Sequence, residues 1–175
     1  NPPIRSREDV EFLWEKLLEG DINWVVSDHA CCSEELKVSG QDNTDDNIWV
    51  SKSGFGGTEY LLSALFSEGS KRGLSLPQMA QLVSTNPARR YGLNNKGDIE
   101  VGFDADLAII DANESFVVSA AESESGQGYT PFEGMELTGK VVSTYLRGEL
   151  VYDNGTVTGP ARGQYQRRPS APPLD

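Results

Sequence analysis

The stretch Trp24-Val25-Val26-Ser27-Asp28-His29 ends an apolar run in a carboxylate and the chain's only histidine. The run reads as a buried strand with Asp28 at its C-terminal tip. An ionised carboxylate is costly to hold in apolar surroundings without a cation or hydrogen bonds. A divalent metal is the natural compensator, and a water activated on it would give the carboxylate a proton to handle. The plainer alternative is a turn, because Ser-Asp after a strand is also a common turn and cap pair and a lone His is more often structural. Cys31 and Cys32 follow directly. One His and two adjacent Cys do not supply four ligands at a zinc spacing. Adjacent cysteines close only a strained ring, so reduced thiols and a cytoplasmic setting are expected.

The elements that must position Asp28 come from pattern. Residues 6–20 read as a helix, with Ser6 as N-cap, Asp9 three residues on, and Val10, Leu13, Trp14, Leu17 and Leu18 along one face. Gly20 is placed to end it in a left-handed cap. Ile22 to Val26 form the short strand. Residues 33–57 are polar and Gly-containing and read as a long loop, which at such a place is more often functional than not. A second helix is expected from Thr58, as cap, to about Lys71. A third begins near Ser75 with Pro77 in its first turn, and Asn86-Pro87 is expected to end it and start a short one. From about Gly97 the pattern turns to strands: Ala105–Asp111, Val141–Arg147 and Glu149–Asp153, with Gly148 and Asp153-Asn154-Gly155 as turns. The tail from 161 has no apolar period and is expected to be loose or to drape over a neighbour.

Across 175 residues the formal net charge is −12, which argues against nucleic acid or an anionic membrane as partner. No apolar run approaches the roughly 20 residues of a membrane span.

Several separated motifs then occur in order. They are NPPIR at the start, SDHACC with ELK shortly after, GFGGTE, STNPARRYGL, KGDIEVGFDADLAIID, and TPFEGMELTGKVVSTYLRGELVYDNG. Together they resemble the cyclic amidohydrolases: allantoinase, hydantoinase or dihydropyrimidinase, and dihydroorotase. The GG loop and TPFEG are most similar to allantoinase. The resemblance covers nearly the whole chain.

The resemblance implies an α/β fold, the C-terminal part of a metal-dependent-hydrolase TIM-like β/α barrel plus a share of a small β-sandwich. Residues 1–92 would hold the last barrel strand, the active-site loop and the following helices. Residues 93–160 would belong to the sandwich and 161–175 to an extended tail. In that family two divalent metals, usually zinc, activate a water against a ring amide carbonyl. Asp28 matches the aspartate that binds one metal, takes the proton and passes it to the leaving nitrogen. Asn1 matches a residue whose backbone contacts the substrate ring. Gly56 and Gly57 match a segment that approaches the substrate from its other side, though a plain turn is an equal reading. His29 follows the metal aspartate in many relatives and would hydrogen-bond near the site. The implied partners are a small cyclic amide or ureide and further copies of the chain, tetramers being common in the family.

The family's His-x-His pair, carboxylated lysine and two further histidines are absent from this sequence. The expectation is therefore a C-terminal portion of a longer enzyme, inactive by itself. Two alternatives stand beside it. One is a non-catalytic relative serving assembly or regulation. The other is a binding or scaffold domain made of the β-rich half alone.

Overall fold

The computed structural model describes residues 4–38, 49 and 52–168. Helix α1 spans Arg7–Glu19 and follows the expectation closely. Ser6 accepts from the Asp9 N–H while the Asp9 carboxylate takes the Ser6 N–H, a reciprocal capping box. Gly20 closes the other end at φ +88°. A short helix, α2 (Glu34–Val38), interrupts the stretch expected to be all loop.

Helix α3 spans Leu61–Lys71, and its N-cap, Tyr60, makes no side-chain cap bond. Thr58, the expected cap, is engaged elsewhere: its hydroxyl lies 3.1 Å from that of Ser27. Helix α4 (Leu76–Ala80) starts with a second capping box, Ser75 with Gln78. It does not stop at Asn86-Pro87. It widens into a π-helical turn over Gln81–Thr85 and continues as α5 (Asn86–Tyr91). The cause is Pro87, which has no N–H and whose ring would collide with the carbonyl four residues back in an α-helix. In the widened turn the Asn86 N–H reaches back to the Gln81 carbonyl. The Leu82 carbonyl is thereby left without a helical donor, and the Val25 N–H takes it at 3.0 Å.

The β-rich half is an antiparallel meander in the order β1-β2-β3-β4: β1 (Leu107–Val117), β2 (Glu136–Leu146), β3 (Glu149–Asp153) and β4 (Thr156–Val157). Strands β1 and β2 are longer than their apolar cores suggested. The cross-strand register from Leu107↔Tyr145 to Val117↔Glu136 carries pairing outward past a bulge between Asp111 and Ser115. Two tight turns join the later strands. Arg147-Gly148 and Asn154-Gly155 each hold both central residues at positive φ, the geometry that matches strand twist. Beyond β4 the chain to residue 168 has no regular element. Arg162 ties it back by an ion pair to Glu149, and its carbonyl accepts from the Arg147 guanidinium at 2.6 Å.

Two apolar clusters hold these parts. Leu17, Leu65, Leu74, Met79 and Leu82 join α1, α3 and the 76–91 helix. Tyr60, Val118 and Leu137 join the start of α3 to the sheet, with Leu137 and Val118 almost wholly buried. Each such side chain contributes about 1.5–3 kcal/mol by leaving water. The second cluster draws residues from both sides of the 92/93 boundary drawn from sequence.

Ile22–Val26 is not a strand in this structure. It enters no ladder among the described residues, and Val26 is 58% exposed. A parallel strand needs a hydrogen-bonded neighbour and cover on both faces. Here the segment has the 76–91 helix on one side: Val25 binds Leu82, and the Asn86 side-chain amide donates to the Asn23 carbonyl at 2.8 Å.

Candidate active site

The segment held by Leu82 and Asn86 ends at Asp28, which adopts φ +45°. Left-handed backbone is uncommon outside glycine, and Asp is among the few residues that tolerate it. The turn it makes brings His29 beside Phe55 in a parallel bridge, and the Ala30 N–H donates to the Phe55 carbonyl at 2.8 Å. The His29 ring closes the arrangement. Its Nδ1 accepts from the Gly57 and Thr58 N–H groups at 3.2 and 3.3 Å, which places its proton on Nε2. His29 thus clamps the glycine loop to the Asp28 segment.

These pieces surround a cavity of about 480 Å³. Its lining includes Ser27, Asp28, Gly56 and Gly57, residues of α1 and α3, and Pro131, Phe132 and Met135. Three of the predicted site residues, Asp28, Gly56 and Gly57, are therefore brought to one cavity. His29 lies one step behind it. Asn1 lies outside the described residues. Contrary to a buried strand tip, Asp28 is exposed, and its carboxylate has no hydrogen-bond or ion-pair partner among the described residues.

The two glycines differ. A Cβ on Gly57 would meet Phe132 and the Ser27 carbonyl oxygen at 3.8 Å, which is ordinary contact. A Cβ on Gly56 would come within 1.8 Å of Gln127 Nε2. Gly56 is crowded by the Gln127 side chain, while Gly57 lies close to Phe132 with space for a methyl. Sequence reasoning missed Gln127 and the 118–135 segment as parts of the site. The signal available was TPFEG, Thr130 to Gly134, read only as a family marker.

Glu68, which also lines the cavity, lies 2.7 Å from both Lys71 and Arg72, and Arg72 reaches Glu11 at 3.4 Å while stacking over Trp14. Hydrogen bonds from Lys71 and then Arg72 hold the Glu68 carboxyl below its ordinary value. A carboxyl lowered on folding stabilises the folded state above the unfolded pKa of about 4.3, and that contribution is lost as pH falls through the lowered folded value. Glu68→Gln is expected to flatten the acid limb of stability against pH. Denaturation midpoints of the two proteins that fall in parallel below about pH 4 would show the cluster to be inert.

A metal is one group this site could hold. Among the described residues no three His, Cys, Asp or Glu side chains stand together as a metal centre. Asp28 offers one carboxylate, unpaired among the described residues, suitable as a single ligand and insufficient alone.

Residues 5–151 match the Amidohydrolase family. The chain belongs to this family. The amidohydrolase chain is 39% identical over 167 residues to an allantoinase of Rubrobacter xylanophilus, covering 95% of this chain and 36% of that relative. An Escherichia coli allantoinase is 36% identical over 154 residues, covering 87% of this chain and 32% of its own. Among solved structures, a D-hydantoinase superposes with a TM-score of 0.87 at 36% identity, covering 97% of this chain and 37% of its own. Dihydropyrimidinase from Brevibacillus agri superposes with a TM-score of 0.83 at 33% identity, covering 91% and 34%. The amidohydrolase chain thus spans about a third of the length of the relatives it matches. The resemblance read from the motifs is borne out, with allantoinases among the sequence relatives and hydantoinases among the structures. Among the described residues no helix is long and apolar enough to cross a membrane.

Proposed function

We propose that this amidohydrolase chain is the C-terminal part of a metal-dependent enzyme that hydrolyses a ring amide C–N bond in an allantoin-, hydantoin- or dihydropyrimidine-like substrate. Residues 1–92 then form the end of a β/α barrel, 93–160 a share of a β-sandwich, and 161–175 a tail toward a neighbouring subunit of a homo-oligomer. Active sites of such barrels lie at the C-terminal ends of the strands. The observation that carries the reading is Asp28, exposed at the cavity after the extended segment and without a partner among the described residues.

In this reading Asp28 is one ligand of a divalent centre, most simply a zinc pair, whose other ligands lie outside the described residues. When bound, the metal supplies Lewis-acid polarisation of the ring carbonyl and an activated water. Asp28 accepts the proton of the attacking water and hands it to the ring nitrogen, which cannot leave unprotonated. His29 keeps the Gly57 loop against Asp28, and Gly57 presents backbone without a side chain toward Ser27 and Phe132.

The test is hydrolysis of allantoin, hydantoin and dihydrouracil by the native protein, before and after dialysis against a chelator. Turnover of at least one, lost with the metal and restored by Zn²⁺, is expected. A metal-replete protein that opens none of the three rings would overturn the reading in favour of a non-catalytic relative.

A further inference from the structure

We propose that Cys31 and Cys32 form a vicinal dithiol site that captures trivalent arsenicals. Both are free thiols, Cys31 exposed and Cys32 partly buried. Both reach the 125–129 segment: Cys31 Sγ lies 3.7 Å from Ser125 Oγ, and Cys32 Sγ lies 3.6 Å from the Tyr129 hydroxyl. The Tyr129 phenol is pushed up to about 12, first by burial and then by Cys32, with a smaller contribution from Cys31. Neither contact is a strong one, since thiols donate and accept weakly, and both yield to a covalent partner.

The chemistry favours arsenic over a disulfide. A direct bond between adjacent cysteines must satisfy a narrow dihedral and separation within a small ring. An arsenic atom between the sulfurs enlarges that ring and relaxes both demands. With phenylarsine oxide, two S–H bonds and the arsenic–oxygen bond break, two As–S bonds form, and one water leaves. Arsenic stays trivalent and no oxidant is needed. Capture draws both thiols off the 125–129 segment, which leads directly to Pro131 and Phe132 on the cavity wall. The site is independent of whether Asp28 binds a metal.

The experiment treats the native protein with phenylarsine oxide and follows intact mass, free-thiol count and the peptide that carries the adduct. One phenylarsine is expected on the Cys31-Cys32 peptide, with both thiols lost together. Because the second As–S bond forms within one molecule, the adduct should resist a monothiol competitor about 10²-fold better than that of Cys31→Ser or Cys32→Ser. Ethanedithiol should release it. The proposal is overturned if the peptide carries no arsenic, if only one thiol is consumed, or if either single variant holds the adduct as firmly as the unaltered protein.

Discussion

Asp28→Asn in the native protein is expected to lower kcat for cyclic-amide hydrolysis by about 10²- to 10⁴-fold, the usual worth of a positioned acid–base group. Stability should stay within about 0.5 kcal/mol, as for an exposed side chain without partners among the described residues. Asn is the informative replacement because of the backbone. Asp28 sits at φ +45°, and Asn tolerates that region nearly as well. Ala at the same place meets the left-handed penalty of about 1–2 kcal/mol, so a loss of activity in Asp28→Ala mixes chemistry with strain. The amide keeps one oxygen for a metal and cannot take a proton. Metal content measured beside the rate therefore separates the two roles: a loaded but slow variant points to proton transfer, an empty one to ligation. A rate equal to the unaltered protein's would remove Asp28 from the mechanism.

Gly56→Ala is expected to destabilise the fold by about 1–3 kcal/mol, the range for forcing a methyl into a filled site. The methyl would lie 1.8 Å from Gln127 Nε2 and 2.3 Å from Cδ. Gln127 has little room to yield. It is 5% exposed, its Nε2 donates to the Tyr129 carbonyl at 2.7 Å, and its Oε1 is buried without a hydrogen-bond partner among the described residues. The pair Gly56→Ala with Gln127→Ala should recover most of the loss, since the second change vacates the space and also removes the unsatisfied oxygen. Gly57→Ala should be nearly neutral in stability, because its methyl meets only ordinary contacts. Denaturant midpoints of the four proteins decide the matter. A neutral Gly56→Ala, or a double variant no better than the single, would show that the loop shifts freely and that Gln127 does not fix it.

The parts legible in the sequence are those whose partners lie a few residues away. The Ser6–Asp9 and Ser75–Gln78 caps, the Gly20 stop, and the Arg147-Gly148 and Asn154-Gly155 turns each rest on contacts within one turn of chain. The residues proposed for the site from the motifs, Asp28, Gly56 and Gly57, line one cavity. Where a partner is distant, the reading failed. Thr58 looked like a cap, yet Ser27, 31 residues earlier, holds its hydroxyl. An apolar run such as Trp24-Val25-Val26 cannot report whether a neighbouring strand is there, and Ile22–Val26 stands without one among the described residues.

The sequence by itself determined the family, the two capping boxes, the Gly20 stop and the hairpin turns, because each is written in local spacing or in ordered motifs, and it put Asp28 forward as the candidate carboxylate. Only the tertiary structure decided how Asp28 is held and what faces it. Pro87 widens a helix, the widened turn frees the Leu82 carbonyl, and Val25 is bound there three residues before Asp28. Gln127 and Phe132 reach the glycine loop from about seventy residues away. Contacts of that range follow from the packing of whole elements, and no window of the chain contains both partners.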